Sequence, residues 1–385
     1  MDAAATQATL SETGLVVPWT NIGTKDVAVG PRKDEYMHTI TAGLQHTDCP
    51  TLVAIPGYAA GSGFFFRVFD GLSTAFRLFA VDLLGTGLSG RPPFKARNTK
   101  ETEDFFISSL DKWRQEEGID KMVLMGHSLG GYLSAVYALR HPERVQHLIL
   151  VCPAGVGRKP EGWQPPAALR SGLRGAVFKV ARGVWSWGVT PGSVIRSVGP
   201  WGPGLVSKYA RNRFKQGMHL TDEEVSRFEQ YFYHILAARG SGEYALSHLL
   251  EPFAFPRHAL EDRLHELKVP ITFIYGDHDW MDPKAAKRVV DTLAKSRSPS
   301  VPSDHDIITT PNAGHYPFID QPGIFLSQVG QACHSYLPAA AQQRLAAAAQ
   351  QQPFCSMPKA DSDVQLAKEM EENPAEAEAH IAAEL

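Results

Sequence analysis

Short apolar runs alternate with amphipathic segments along most of the chain. Runs of four to six residues rich in valine, isoleucine and leucine are typical of buried strands, and apolar residues spaced three or four apart predict helices. The predicted strands are 36–41, 51–55, 78–82, 122–125, 148–152, 271–275 and 306–310, and the predicted helices between them are 102–117, 130–140, 283–293 and 322–336. Strands that alternate with helices indicate an α/β fold, with a mostly parallel sheet covered by helices on both faces.

This alternation stops between residues 158 and 256. Loops rich in glycine, proline and tryptophan and a predicted helix at 222–239 replace the strands there. We interpret 158–256 as a helical cap inserted into a core formed by 35–157 and 257–340, with 1–34 as an N-terminal extension. Such a cap is expected to cover the carboxyl ends of the strands, where ligands bind in open α/β sheets.

Charge is distributed unevenly along the chain. Lys and Arg total 38 against 41 Asp and Glu, which argues against a dedicated nucleic-acid-binding protein. Residues 158–215, however, contain eleven Lys and Arg, one acidic residue, and the tryptophans at 163, 185, 187 and 201. Basic residues interleaved with tryptophan suit a surface that contacts anionic lipid headgroups. An ordinary solvated helical insertion is the alternative.

The last segment, 341–385, is rich in alanine, glutamine and glutamate, and it carries eight acidic and three basic residues. Few of its residues are large and apolar, so we expect it to be mostly disordered, with at most a transient helix.

No apolar stretch is long enough for a transmembrane helix, and the N-terminus lacks the pattern of a secretory signal, so we expect a cytoplasmic protein. An organelle-import role for the first 30 residues stays open, although no arginine precedes Arg32. Four cysteines without CxxC spacing predict neither a zinc site nor a disulfide framework. We expect no metal and no redox cofactor.

A glycine-rich turn follows the predicted strand 122–125. Its sequence, Gly126-His-Ser128-Leu-Gly130, fits the G-x-S-x-G pattern of a nucleophile elbow, in which a serine occupies a strained turn between a strand and a helix. The N-terminus of that helix stabilises developing negative charge. Ser128 is therefore the predicted nucleophile, with an incidental serine in a glycine-rich turn as the alternative.

A serine hydroxyl needs a base, and the base needs an acid that orients it. In this arrangement the acid and then the histidine follow the serine along the chain. Asp279 and His315 each follow a predicted strand. We expect His315 to accept the proton of Ser128 and Asp279 to fix the tautomer of His315. Asp277 is the rival acid.

An oxyanion hole is expected to use the backbone N–H after the nucleophile, here that of Leu129, and a second N–H from the loop after the predicted strand 51–55. Pro56 has no N–H, so the second donor is expected to be Tyr58 or, failing that, Ala59.

Several segments carry a resemblance to a known family: DLLGTGLSGRPPF, EDFFISSLDKWR, GHSLGGYLSAVYALRHPERVQHLILVCPAGV, VGPWGPGLV and FIYGDHDWMD. The chain resembles the α/β-hydrolase superfamily over residues 35–340, and within it the lipid-droplet-associated hydrolases and lysophosphatidic acid acyltransferases. Some members carry asparagine in place of the elbow serine, so Ser128 favours a working hydrolase. Pro56-Gly57 stands where the family usually has His-Gly before the oxyanion loop.

The resemblance implies acylglycerol or phospholipid metabolism, acyl transfer to lysophosphatidic acid with acyl-CoA as co-substrate, association with lipid droplets and, in some members, activation of a partner lipase. The family's H-x4-D motif, linked to acyl transfer, is matched by His315 and Asp320. Asp320 also fits the start of a helix at Pro322, because proline and an acidic residue suit a first turn. One histidine does not easily serve two sites, so we expect acyl transfer to use the Ser128 acyl-enzyme.

These observations predict a serine hydrolase of lipid carboxylic esters that acts on a lysophospholipid, phospholipid or acylglycerol at the surface of an anionic membrane or lipid droplet. An epoxide hydrolase or dehalogenase is disfavoured, because both need aspartate in place of Ser128. A peptidase fits the fold alone. The alternative from another class is a non-catalytic lipase coactivator or adaptor at lipid droplets.

Overall fold

The computed structural model describes residues 22–165, 170–172, 183, 188–214, 222–295 and 305–352. Its strands are Gly23–Ala28 (β1), Tyr36–Ala42 (β2), Thr51–Ile55 (β3), Arg77–Val81 (β4), Met122–His127 (β5), Val145–Val151 (β6), Ile271–Gly276 (β7) and His305–Thr310 (β8). They form one sheet in the order β1-β2-β4-β3-β5-β6-β7-β8. Strand β2 is antiparallel to β1 and β4, and the other neighbouring strands are parallel.

Helices follow most of the strands. The α-helices are Phe69–Ser73 (α1), Thr99–Glu116 (α2), Leu129–Arg140 (α3), Pro191–Ser197 (α4), Gly202–Phe214 (α5), Asp222–Ala237 (α6), Leu246–Leu249 (α7), Lys284–Lys295 (α8), Pro317–Asp320 (α9), Pro322–Ala332 (α10) and Ala339–Gln351 (α11). Short 3₁₀ helices lie at Ser62–Phe65, Pro142–Arg144, Gly199–Trp201, Gly242–Ala245, Pro252–Ala254, Leu260–Asp262, Leu264–Glu266 and His334–Tyr336.

The central strands are covered on both faces. In β3, Val53 and Ile55 belong to the apolar cluster on one side of the sheet, and Leu52 and Ala54 belong to the cluster on the other side. All four side chains are inaccessible to solvent. Burial on both faces explains why these strands are continuous apolar runs rather than alternating ones. The predicted α/β architecture is confirmed.

All seven predicted strands are present, and the chain forms one further strand, β1, that the sequence pattern does not predict. Six residues of β1 pair with β2 in antiparallel register, so the proposed N-terminal extension of 1–34 is wrong at this point. The sequence GTKDVA carries few apolar residues, and most of its side chains are exposed or half-buried. An edge strand of this kind lacks the apolar pattern from which a strand is predicted.

The connection between β6 and β7 contains helices α4 to α7, as the predicted cap requires. Helix α6 packs onto the core through Phe228 and Phe232, whose rings lie 4.8 and 5.6 Å from the ring of Phe64. Segments 166–169, 173–182, 184–187 and 215–221 of the predicted cap, with two of its tryptophans, lie outside the described residues. In the part of the chain that is described, no helix is both long enough and apolar enough to cross a bilayer.

The predicted disorder of 341–385 is wrong for its first part. Helix α11 extends to Gln351 and packs against α10 and α1. Ala341, Leu345 and Ala349 recur at every fourth position and are buried, because that spacing places them on one face of the helix. Residues 353–385 lie outside the described residues.

We predict that Leu345→Ala lowers the free energy of unfolding by about 2–5 kcal/mol, because the side chain fills a buried site that alanine would leave partly empty. Urea or thermal unfolding measures the loss. Gln343→Ala, on the exposed face of the same helix, is the matched control and is expected to stay near wild type. Equal stabilities of the two variants would mean that α11 does not pack on the core.

Candidate active site

Ser128 lies between β5 and α3 in a strained backbone conformation. Its φ of 51° and ψ of −120° are unusual for a residue with a side chain. The surrounding backbone packs very closely, since a Cβ at Gly57 would lie 2.9 Å from the Cβ of Ser128, and one at Gly130 would collide with the Pro56 carbonyl. The elbow that the sequence predicts is therefore present, and Ser128 is only 4% exposed.

Asp279 and His315 follow β7 and β8 at the same edge of the sheet. The His315 Nδ1–H donates to Asp279 Oδ1 over 2.9 Å. The side chains are 2% and 0% exposed, so the pair is shielded from water. The Met281 N–H also donates to Asp279 Oδ1, at 3.2 Å. The Asp279 carboxylate is thus held against the His315 imidazole, as the prediction of Asp279 for the acid requires.

His127, the residue before Ser128, joins the elbow to the histidine loop. Its Nε2–H donates to the backbone carbonyl of His315 over 2.8 Å, and the two rings lie 4.8 Å apart. The carbonyl can only accept, so the tautomer of His127 is fixed by this bond. His127 is 2% exposed. The residue next to Ser128 is thus hydrogen-bonded to the backbone of His315, and both Ser128 and His315 are buried.

Asp277, the alternative candidate for the acid, contacts the backbone before His315 rather than the imidazole. It accepts the backbone N–H groups of Asn312 and Ala313, both at 3.0 Å, and pairs with His278 at 2.8 Å. These contacts shape the turn that leads to His315. The structure therefore places Asp279, and not Asp277, against the imidazole.

Asp320 supports the same loop from the other side. Its Oδ2 accepts the Gly314 N–H at 2.9 Å, and the residue is 3% exposed. Helix α10 begins at Pro322, two residues later. The contact fixes the backbone directly before His315, which is a positioning role.

The two predicted oxyanion donors lie at the start of α3 and in the loop after β3. Leu129 is the first residue of α3, where the helix itself provides no acceptor for an N–H. The Gly57 backbone lies against Ser128, and Tyr58 is the next residue in the loop. The Ala60 N–H already donates to the Gly57 carbonyl at 3.3 Å, so it is not available to an oxyanion. The amides of Leu129 and Tyr58 stay the predicted donors. Ala59, at φ 57°, remains the alternative in the loop.

The side chain of Tyr58 reaches into the cap. Burial, together with the nearby Glu243 carboxylate, raises the pKa of this tyrosine, and its hydroxyl contacts Thr190 at the start of α4. Thr190 in turn donates to Glu243 over 2.7 Å, and Glu243 pairs with Arg196. The cap therefore touches the predicted oxyanion loop directly.

Arg91 forms a second set of hydrogen bonds between cap and core, which the sequence pattern does not predict. Its guanidinium donates to the Gly87 carbonyl of the core at 2.7 Å and to the carbonyls of Ile235 and Arg239, at the end of α6, at 3.1 and 3.0 Å. Burial lowers the pKa of this arginine. Arg91 and Tyr58 line one cleft, between the oxyanion loop, the 85–87 turn and the cap. Only long-range contacts reveal these roles.

One cluster in the described residues has the composition of a metal site. Ligand atoms of Cys152, Asp279 and His315 lie within 4.8 Å of one another. However, Asp279 and His315 are hydrogen-bonded to each other, and burial together with the Asp279 charge raises the pKa of the Cys152 thiol well above its usual value. Because a protonated thiol is a poor metal ligand, the arrangement fits a hydrogen-bonded pair better than a metal centre.

Comparison with known proteins identifies the family of the fold. Residues 50–322 match the family described as alpha/beta hydrolase fold. The chain is 42% identical over 311 residues to a 1-acylglycerol-3-phosphate O-acyltransferase of Arabidopsis thaliana, covering 79% of this chain and 71% of that one. It is 36% identical over 301 residues to a (lyso)-N-acylphosphatidylethanolamine lipase of Homo sapiens, covering 77% and 83%.

Among solved structures, naproxen esterase, a carboxylesterase from Bacillus subtilis, superimposes with a TM-score of 0.55 at 20% identity, covering 84% of this chain and 95% of that one. At this identity the likeness shows the fold alone. A mostly parallel eight-stranded sheet, with a serine turn after one central strand and an acid–histidine pair at the same edge, is the arrangement of an α/β hydrolase. The chain belongs to the α/β-hydrolase family.

We predict that Asp279→Asn lowers the rate of short-chain ester hydrolysis by about 10,000-fold, because asparagine stabilises the wrong tautomer of His315. Hydrolysis of a p-nitrophenyl ester measures it. Asp282→Asn is the matched control, since Asp282 is exposed and accepts the Lys284 N–H at the start of α8. Comparable activity in the two variants would show that Asp279 is not the acid.

Proposed function

We propose that this protein is a serine hydrolase of lipid carboxylic esters that works through an acyl-enzyme on Ser128. The buried 2.9 Å contact between His315 and Asp279, next to a strained serine elbow, is the observation that carries the proposal. A base that is oriented by a buried acid is what a serine nucleophile requires.

In the proposed reaction, Ser128 Oγ attacks the ester carbonyl while His315 takes its proton. Asp279 stabilises the imidazolium, and the amides of Leu129 and Tyr58 bind the developing oxyanion. The intermediate collapses by breaking the bond to the alcohol, which leaves with the proton from His315. Water then attacks the acyl-enzyme by the same steps and releases the fatty acid.

The substrate class follows from the relatives and from the cap. The named activities of the plant and human relatives both concern acylated glycerophospholipids. We extend this to a lysophospholipid, phospholipid or acylglycerol substrate here. Because Ser128 and His315 are almost fully buried, long acyl chains that displace water suit the site.

Acyl transfer to lysophosphatidic acid is the finer part of the proposal. Acyl-CoA would acylate Ser128 and release the thiol of CoA, and the hydroxyl of the lysolipid would then attack in place of water. The contact between Asp320 and the Gly314 N–H supports a positioning role for Asp320 rather than a second catalytic pair. Both reactions then depend on Ser128.

We predict that Ser128→Ala abolishes the formation of both free fatty acid and phosphatidic acid from lysophosphatidic acid and labelled acyl-CoA. The loss is expected to reach about 1,000-fold or more, because the nucleophile acts as a unit with its base. Ser134→Ala, a buried serine further along α3, is the control.

Fatty acid that forms at the wild-type rate in Ser128→Ala would contradict the nucleophile. Phosphatidic acid that persists alone would contradict the shared acyl-enzyme and favour the His315–Asp320 pair. The alternative function, a non-catalytic lipase coactivator, predicts that cells carrying Ser128→Ala keep a wild-type lipid phenotype.

We also propose that the cap contacts an anionic membrane or lipid-droplet surface. Five large hydrophobic side chains are exposed in the described residues, and four of them lie on the cap within about seventeen positions of the chain. These four, which we call the cap patch, are Val189, Val194, Trp201 and Leu205, with exposed fractions of 39, 46, 76 and 47%. Apolar side chains exposed in one patch mark a contact surface.

Helix α5 carries one residue of the cap patch, Leu205, together with positive charge. Val206 and Ala210 face inward, whereas Leu205, Lys208 and Arg211 are exposed. A helix with apolar and basic side chains on its outer face suits binding at a headgroup boundary. This supports peripheral attachment.

We predict that the double variant Trp201→Ala/Leu205→Ala binds liposomes at least about tenfold more weakly, because both side chains lose apolar burial in the lipid. Flotation with increasing phosphatidylserine content measures it. Leu44→Ala, which removes an exposed leucine outside the cap, is the matched control. Binding that depends neither on the cap patch nor on anionic lipid would contradict the proposed surface.

A further inference from the structure

Cys152 directly follows β6, at the edge of the sheet where Asp279 and His315 follow the next two strands. It is fully buried, and its φ of 45° is a left-handed conformation that a side-chain-bearing residue adopts only when its surroundings hold it. Its Sγ, a carboxylate oxygen of Asp279 and a ring nitrogen of His315 all lie within 4.8 Å of one another. The thiol is thus a third member of the cluster, and the proposed reaction gives it no role.

The two carboxylate oxygens of Asp279 accept different numbers of hydrogen bonds. Oδ1 accepts two hydrogen bonds, from His315 Nδ1–H and from the Met281 N–H. Oδ2 is buried and has no hydrogen-bond partner within the described residues. A buried charged oxygen without a hydrogen-bond donor costs free energy, so native structures rarely contain one.

The thiol of Cys152 has the properties of the missing donor. Burial, followed by the Asp279 and Asp320 carboxylates, raises its pKa, so the sulfur keeps its proton at neutral pH. The Gly276 N–H is directed at the sulfur, which leaves the S–H to donate elsewhere. The sulfur lies 4.0 Å from the Gly314 carbonyl, to which it donates in the structure, and the Asp279 carboxylate is the second acceptor beside it.

We propose that Cys152 is a positioning residue for the catalytic acid: its S–H donates to Oδ2 of Asp279 and holds the carboxylate so that Oδ1 faces His315. The inference rests on the proposed function, because it assigns Cys152 to the acid of that mechanism. The thiol forms no covalent bond with substrate, and no proton leaves it during turnover.

Loss of this donor has a defined electrostatic consequence. Without the S–H the Asp279 carboxylate becomes more basic, and a more basic carboxylate stabilises the imidazolium of His315. The rate falls at low pH because the base becomes protonated, and this part of the pH profile, the acid limb, then moves to higher pH. Substitution of Cys152 leaves the other titratable groups that face this pair in place: His127 at the end of β5, Tyr275 in β7, Tyr316 after His315 and Asp320 at the end of α9.

The first experiment follows the rate at which a fluorophosphonate labels Ser128 as a function of pH. Cys152→Ala is expected to react about tenfold more slowly, with its acid limb raised by about half to one pH unit. Cys152→Ser keeps a donor and is expected to retain the wild-type limb. Cys333→Ala is the matched control, because that cysteine is equally buried and burial alone raises its pKa.

A second measurement does not depend on activity. The infrared S–H stretching band of Cys152 in the unmodified thiol protein, assigned by its disappearance in Cys152→Ser, is expected at the low frequency of a thiol that donates to a carboxylate. It should rise in Asp279→Asn, where the acceptor loses its charge.

The outcomes separate the two proposals. If wild-type protein is not labelled at Ser128, the proposed function fails, and the S–H band alone decides the role of Cys152. An acid limb that stays in place in a folded Cys152→Ala protein, or that moves equally in Cys152→Ser, overturns the inference. A band that Asp279→Asn leaves unchanged overturns it as well, even where the alanine variant does not fold.

Discussion

The backbone conformation of Ser128 is the constraint on which the rest of the site depends. A residue at φ 51° costs of order 1–3 kcal/mol and persists only where its surroundings over-determine it. Here β5 fixes one side, α3 the other, and the Gly57 backbone lies against the serine itself. Asp279 and His315 follow β7 and β8, which are parallel to β5 and end at the same edge of the sheet.

Around that point the site is built from backbone contacts as much as from side chains. Asp277 and Asp320 both use carboxylate oxygens to bind N–H groups of the loop that carries His315, and His127 binds the carbonyl of His315 itself. These three side chains hold the imidazole in place without contributing to its chemistry. A loop that is anchored at so many positions can present a histidine with little conformational freedom.

The sequence predicted what depends on local pattern and failed where the contact is between distant segments. The elbow at Ser128 and the acid after β7 are each encoded within a few neighbouring residues, so both could be located from the sequence alone. The roles of Cys152, Arg91 and the Tyr58 side chain could not, because each depends on a partner from another part of the chain. Two errors have a different cause. Strand β1 carries no apolar alternation, and the average composition of 341–385 concealed the regular spacing of apolar residues in α11.

The middle and the C-terminal end of helix α6 are attached to the core by different forces. Near its middle, Phe228 and Phe232 pack on Phe64, and this contact is indifferent to ionic strength. At its end, the carbonyls of Ile235 and Arg239 are held by the Arg91 guanidinium. Phosphate groups compete well for guanidinium, whereas carbonyls are weaker acceptors. Where headgroups are concentrated, the polar attachment is therefore the one that gives way first, and the cap is expected to pivot on its aromatic contacts rather than detach.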